Sequence, residues 1–147
     1  MRVLVRLARK SAVSTRVTEP DRDGHANNSL SLRAGHRFAN DIALEFSALQ
    51  AQGDNEFDGA YQNMSDFRQQ VLSAKLTAPI GAETALSAQI GQARDDLDSF
   101  KDGVYSSTFN TRRDSATLQA DTRLGNRTSL SFGLDFLQGV GIAEQIA

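Results

Sequence analysis

The chain is 147 residues long, 39% hydrophobic and 23% charged, with a formal net charge of −2. That length allows one ordinary domain, and the absence of Cys excludes a disulfide framework, a zinc–thiolate site and a cysteine nucleophile. No stretch approaches the roughly 18 uncharged apolar residues of a membrane-spanning helix, and a mildly acidic chain is not expected to have a nucleic-acid partner.

Charge is distributed unevenly. Residues 1–18 hold Arg2, Arg6, Arg9, Lys10 and Arg16 and no acid. Arg6 interrupts the apolar run Val3 to Ala8, so no secretory signal peptide is recognised. The Arg-rich, acid-free composition also meets the formal description of a mitochondrial-type presequence. The expectation is that 1–18 is a basic leader standing outside the structure formed by 19–137.

From Ser29 onward the dominant signal is alternation with a period of two, which places alternate side chains on opposite faces of a strand. The first predicted strand, about Ser29 to Phe38, sets Leu30, Leu32, Ala34 and Phe38 against Ser31, Arg33, Gly35 and Arg37. After Ala39-Asn40-Asp41 a second strand sets Ile42, Leu44, Phe46 and Ala48 against Ala43, Glu45, Ser47 and Leu49. A long polar loop, Gln52 to Asp66, is expected next. The third strand, about Phe67 to Ala78, has Leu72, Ala74, Leu76 and Ala78 on one face and Ser73, Lys75 and Thr77 on the other.

Pro79-Ile80-Gly81 reads as a turn, Pro fixing an early φ and Gly taking a positive one. The fourth strand places Thr84, Leu86, Ala88 and Ile90 opposite Ser87, Gln89 and Gly91. A second, acidic loop is expected over Arg94 to Gly103. The fifth strand, about Tyr105 to Leu124, sets Ala116, Leu118, Ala120, Thr122 and Leu124 against Thr117, Gln119, Asp121 and Arg123. Gly125-Asn126-Arg127 turns into the sixth, where Leu130, Phe132, Leu134 and Phe136 alternate with Ser129, Ser131, Gly133 and Asp135. Residues 138–147 are expected to form a tail outside the sheet.

The pattern predicts an all-β, antiparallel up-and-down meander of about six strands. Short and long connections alternate, the apolar faces carry no charge at mid-strand, and each central run has about the 9–11 residues a tilted transmembrane strand needs. These features point to part of a transmembrane outer-membrane β-barrel, with Phe38 at one rim and Phe67, Phe109 and Phe136 at the other as an interfacial girdle. Arg33, Glu45, Lys75, Asp121 and Arg123 then line the lumen or face a ligand. A porin- or autotransporter-type barrel segment fits the same alternation. So does a soluble antiparallel β-sheet binding module.

Four stretches carry a family likeness. They are Asp21-Arg22-Asp23-Gly24 ahead of Asn28-Ser29-Leu30-Ser31-Leu32; Gly53-Asp54-Asn55-Glu56-Phe57-Asp58-Gly59; Gln92-Ala93-Arg94-Asp95-Asp96 with Phe100-Lys101-Asp102-Gly103; and Phe109-Asn110-Thr111-Arg112-Arg113-Asp114. Together, over about residues 19–137, they resemble TonB-dependent outer-membrane receptors, most closely the cobalamin (vitamin B12) transporter branch. The resemblance implies a bacterial outer-membrane location, outer-membrane lipid as surroundings, and uptake of a scarce, cobalamin-like ligand. The family's plug domain and TonB-contacting box are not in this sequence. The TonB system would therefore be engaged only through those other segments, and the expectation is a barrel fragment that does not transport alone.

The same resemblance implies Ca2+ in the extracellular loops, with Asp21, Asp23 and Asp58 at the matching positions; no cofactor is otherwise required. Calcium takes several carboxylate and carbonyl oxygens at about 2.3–2.6 Å. Asp54-x-Glu56-x-Asp58-Gly59 imitates the start of an EF-hand loop, but the position that needs a bidentate Glu is Ser65, so that motif is rejected. Turn chemistry and solvation account for Asp95, Asp96, Asp98 and Asp102.

No enzyme activity is expected. Adjacent Asp95 and Asp96 point to opposite faces of a strand, and His25 and His36, the only imidazoles, lack metal-ligand spacing. His36 sits in the apolar-face register near a strand end. Arg112-Arg113 reads as rim charge, and no glycine loop cradles a phosphate.

Overall fold

The computed structural model describes residues 2–14 and 23–145, with side chains described from His25 onward. It is one antiparallel sheet in which every strand pairs with its sequence neighbours, in the order β1-β2-β3-β4-β5-β6-β7. The strands are β1 (Arg2–Ser14), β2 (Asp23–Arg37), β3 (Ala43–Glu56), β4 (Met64–Ile80), β5 (Thr84–Lys101), β6 (Val104–Leu124) and β7 (Thr128–Gln145). The all-β, up-and-down meander expected from alternation is present, and β2–β7 correspond one to one with the six predicted strands.

The differences lie at the strand ends. Arg2–Ser14, expected to stand apart, pairs along its whole length with β2, Arg2 opposite Gly35 and Ser14 opposite Asp23. Its register sets Val3, Val5 and Leu7 across from Ala34, Leu32 and Leu30, so alternation was present there but was masked by the flanking arginines. At the other end β7 continues through Gly139, Val140, Gly141 and Ile142 to Gln145, paired with β6 as far as Ser107. Most of the expected tail is therefore strand.

Both expected long loops shrink. The polar stretch from Gln52 to Asp66 is mostly β3 and β4, leaving Phe57 to Asn63 as the connection. The acidic stretch Arg94 to Gly103 is the second half of β5, closed by a two-residue turn. There Asp102 and Gly103 have φ of 51° and 79°, the paired positive values of a type I′ hairpin for which Asp-Gly is a preferred sequence. Acidity hid this hairpin, because charged residues on an exposed strand face resemble a loop in composition. Pro79 also belongs to β4, opposite Ala85, and the turn follows it with Gly81 at φ 73°.

The loop Phe57–Asn63 is tied down. Its ends close through Phe57 N–H donating to the Asn63 carbonyl at 3.0 Å. Asn63 docks on the β5–β6 turn, its amide donating to Asp102 Oδ1 at 2.9 Å while Asp102 N–H donates to Asn63 Oδ1 at 2.9 Å. Lys101 Nζ donates to the Gly59 carbonyl at 3.0 Å, and Gln62 Nε2 donates to Ser107 Oγ at 2.8 Å. Ser65 and Ser99, cross-strand partners near this loop, are 8% and 7% exposed, the only buried residues among those described.

No apolar side chain among the described residues is buried. The accessible surface is 11397 Å², against the roughly 7400 Å² expected of a compact monomer of this mass. A domain ordinarily buries a sheet's apolar face under a second layer, and this sheet has none.

Gly103→Ala tests the hairpin. No neighbouring atom would meet the added Cβ, so the cost is purely that of the left-handed backbone, about 1–2 kcal/mol. The denaturant midpoint of the folded chain should fall accordingly, whereas Asp102→Asn should leave it within about 0.5 kcal/mol.

Candidate functional site

Register assigns every described strand residue to one of two faces, called here after Leu118 and Gln119. On the Leu118 face, three successive cross-strand rows are almost wholly apolar. They hold Ala78, Leu86, Ala120 and Phe132; then Leu44, Leu76, Ala88, Leu118 and Leu134; then Phe46, Ala74, Ile90, Ala116 and Phe136. Leu134 is 75% exposed and Ile90 64%. His36 enters this face opposite Leu44, its ring edge-on to Phe38 at 4.6 Å, as its sequence register indicated.

All five expected lumen residues lie on the Gln119 face at the same end. Arg33 and Glu45 form an ion pair at 3.1 Å, exposed enough to contribute only about 0–1 kcal/mol. Lys75 is the direct cross-strand neighbour of Glu45. Asp121 accepts from Ser131 Oγ at 2.6 Å and from Gln119 Nε2 at 2.8 Å, and Arg123 stands opposite Ser129. Ser47–Ser73 at 2.6 Å and Thr117–Asp135 at 2.7 Å extend the hydrogen-bonded surface. This half of the face is polar in every row.

Toward the Phe57–Asn63 end the faces exchange character, which the sequence reading did not anticipate. On the Gln119 face Leu49 meets Val71 and Val71 meets Ala93. Further along come Phe67, Leu97 and Phe109 in one row. Phe67 and Phe109 therefore lie opposite the face that carries Phe136, so the expected girdle is split between two faces. Gly53 sits in the Phe67 row because nothing larger fits, since a Cβ there would meet the Ala26 carbonyl at 2.0 Å and the Phe67 ring at 2.9 Å. The His25 ring stacks on Phe67 at 6.3 Å and also bonds to Asn55 Oδ1.

On β3–β6 the Leu118 face is polar at the same end, with Gln50, Gln52, Gln70, Arg68, Gln92, Arg94, Arg112 and Asp114, while Leu30 on β2 and Val140 and Ile142 on β7 remain apolar in these rows. Here Gln92 Nε2 donates to Asp114 Oδ1 at 2.7 Å, and Arg112 pairs with Asp114 at 3.1 Å. Farther out is a row the sequence analysis missed, with Asp54 opposite Asp66 and Asp66 opposite Asp98, followed only by Glu56, Met64 and Phe100. The signal available was parity along each strand, once 52–66 and 94–103 are read as strand.

Two members of the expected calcium set fall outside what the structure describes. Asp21 lies outside the described residues, the Asp23 side chain likewise, and Asp58 is exposed in the Phe57–Asn63 loop. Among the described residues no group of three His, Cys, Asp or Glu side chains is placed to hold a metal ion. Among the described residues no helix is long and apolar enough to cross a membrane, which leaves strands unaddressed.

No protein-family model, curated protein or solved structure matches the chain.

Like charges directly opposite on neighbouring strands destabilise by about 0.2–1 kcal/mol. Asp66→Asn, which removes the middle carboxylate of its row, should therefore raise the unfolding midpoint by that amount at low salt. The gain should fade in about 1 M salt, where the Debye length is near 3 Å.

Proposed function

We propose that this sheet is a segment of an outer-membrane β-barrel of the TonB-dependent receptor type, serving uptake of a scarce, cobalamin-like ligand. The observation that carries the reading is the uncharged apolar band of the Leu118 face on a single-layer sheet, with no buried apolar side chain among the described residues. Hydrocarbon needs no complementary second layer, and a barrel strand exposes one face to it by design. The band runs on β4 from Leu72 to Ile80, which matches the roughly 9–11 residues of a tilted membrane strand. The polar Gln119 face at the same height suits a hydrated lumen, where Arg33, Glu45, Lys75, Asp121 and Arg123 would meet ligand or plug.

β1 and β7 each leave one side unpaired in the described sheet. Unpaired backbone groups do not face hydrocarbon, because each costs several kcal/mol there. Membrane insertion therefore calls for both edges to be paired, by further strands of a larger barrel or, for the chain by itself, by the edges of further copies, and in this reading the sheet binds and conducts ligand only within the larger barrel. Its role is passage, without catalysis. The receptor resemblance places Ca2+ at Asp21, Asp23 and Asp58, and calcium should then raise the melting temperature of the wild-type chain but not of Asp58→Asn.

The two faces make the membrane reading testable. Leu118→Arg sets a charge at the centre of the apolar band, where it costs about 2–4 kcal/mol in a bilayer, and should abolish folding into detergent micelles or vesicles followed by circular dichroism. Gln89→Arg, on the polar face at similar height, should fold as wild type. A folded, monomeric wild type in buffer without detergent would overturn the membrane assignment and favour the soluble sheet module.

A further inference from the structure

Between the apolar band and the outer acidic row, the Leu118 face carries a belt whose cations are Arg68, Arg94 and Arg112, all exposed. Arg94 and Arg112 are direct cross-strand partners, an arrangement of like charges that the sheet disfavours unless something neutralises it. Asp114 answers Arg112 at 3.1 Å. Arg94 donates from Nε to Gln92 Oε1 at 3.0 Å, and among the described residues neither Arg94 nor Arg68 has a carboxylate within ion-pairing distance. Two guanidinium groups are thus held at the surface: Arg94 shares its row with Gln70 and Gln50, and Arg68 stands between Gln52 and Asp96 without an ion pair to that carboxylate.

Their position along the strand identifies what they meet. Ile90, in the last fully apolar row, is followed four residues later on the same face by Arg94, a strand rise of about 13 Å. At a tilt near 40–45° that is about 10 Å of height. The polar headgroup layer beyond the hydrocarbon adds roughly 5–8 Å per leaflet, and a flexible Arg stem spans the remainder by snorkelling. The guanidinium fork matches the oxygens of a phosphate bidentately. Asp54, Asp66 and Asp98 stand farther out, beyond that layer.

We propose that Arg68, Arg94 and Arg112 form a docking belt for the phosphate groups of anionic lipid headgroups in the leaflet at the Phe57–Asn63 end. The proposal rests on the membrane reading and names the lipid chemistry at its border. The chain's net charge of −2 makes general attraction to an anionic surface unfavourable, so a preference for such a surface must arise locally.

The test is partitioning of the full-length chain into phosphatidylcholine vesicles with and without phosphatidylglycerol, with β-sheet formation followed by circular dichroism. Wild type should insert into both and favour the anionic vesicles about tenfold, on the scale set by basic residues near a charged leaflet. The triple variant Arg68→Gln, Arg94→Gln, Arg112→Gln should insert into phosphatidylcholine as wild type does and lose the preference. Arg33→Gln, Arg37→Gln, Arg123→Gln, equal in charge change but on the Gln119 face, should keep it. Insertion without a preference, or equal loss in both triple variants, overturns the belt and leaves the membrane reading standing. Loss of the preference to inorganic phosphate at matched ionic strength reassigns the belt to a free anion and overturns it as a lipid site. Failure of wild type to form sheet in either vesicle removes the membrane reading and the belt together.

Discussion

The rest of the structure depends on an apolar sheet face that no second layer covers among the described residues. Leucine, isoleucine, phenylalanine and alanine fill consecutive rows of β2–β7, and none of their side chains is buried. In water each large apolar side chain would forgo about 1.5–3 kcal/mol of burial. That deficit, repeated over many residues, is too large for a domain whose net stability is about 5–15 kcal/mol. The sheet is consistent with a non-aqueous neighbour along one band of one face, and the proposed barrel supplies it.

The second organising feature is the exchange of character between the faces along the strands. Near the turns Phe38–Ile42, Gly81–Glu83 and Gly125–Arg127, the Leu118 face is apolar and the Gln119 face polar. Toward Phe57–Asn63 the order reverses, with Phe67, Leu97 and Phe109 on one side and Arg68, Arg94 and Arg112 on the other. A strand cannot change which face its odd residues occupy without a bulge. The register holds without a shift along β2–β5, and the irregularity between β5 and β6 falls only at Ser99/Phe100, beyond the exchange. The reversal is therefore written in residue type and not in backbone geometry. Strands that continue past a bilayer into water have reason to show such a change, because the outer face then meets headgroups and solvent.

The end carrying Phe57–Asn63 also has the more extensive side-chain hydrogen bonding in its connections. Asn63 and Asp102 exchange two hydrogen bonds, Lys101 holds the Gly59 carbonyl, and Gln62 donates to Ser107. One loop and the neighbouring hairpin turn thus form a single polar cluster, in which changes at Asp102 or Asn63 act on both. The split aromatic set serves this end as well, with Phe67 bracketed by Gly53 and the His25 ring.

Alternation by itself determined the strand class, the order of β2–β7, the antiparallel meander, the membership of each face and the common placement of Arg33, Glu45, Lys75, Asp121 and Arg123. A period of two is a local property, and tight turns leave sequential strands no cheaper partner than one another. Strand ends were not legible. Composition made Arg94 to Gly103 and Gln52 to Asp66 resemble loops, and basic residues hid the pairing of Arg2–Ser14. Only the tertiary structure decided that these segments pair, because backbone hydrogen bonds across strands hold polar and charged residues in register as readily as apolar ones. It alone set Asp54, Asp66 and Asp98 in one row and placed Arg94 against Arg112. Each of those relations joins residues on different strands, and which residue stands opposite which is fixed by register, a property that no single strand's sequence contains.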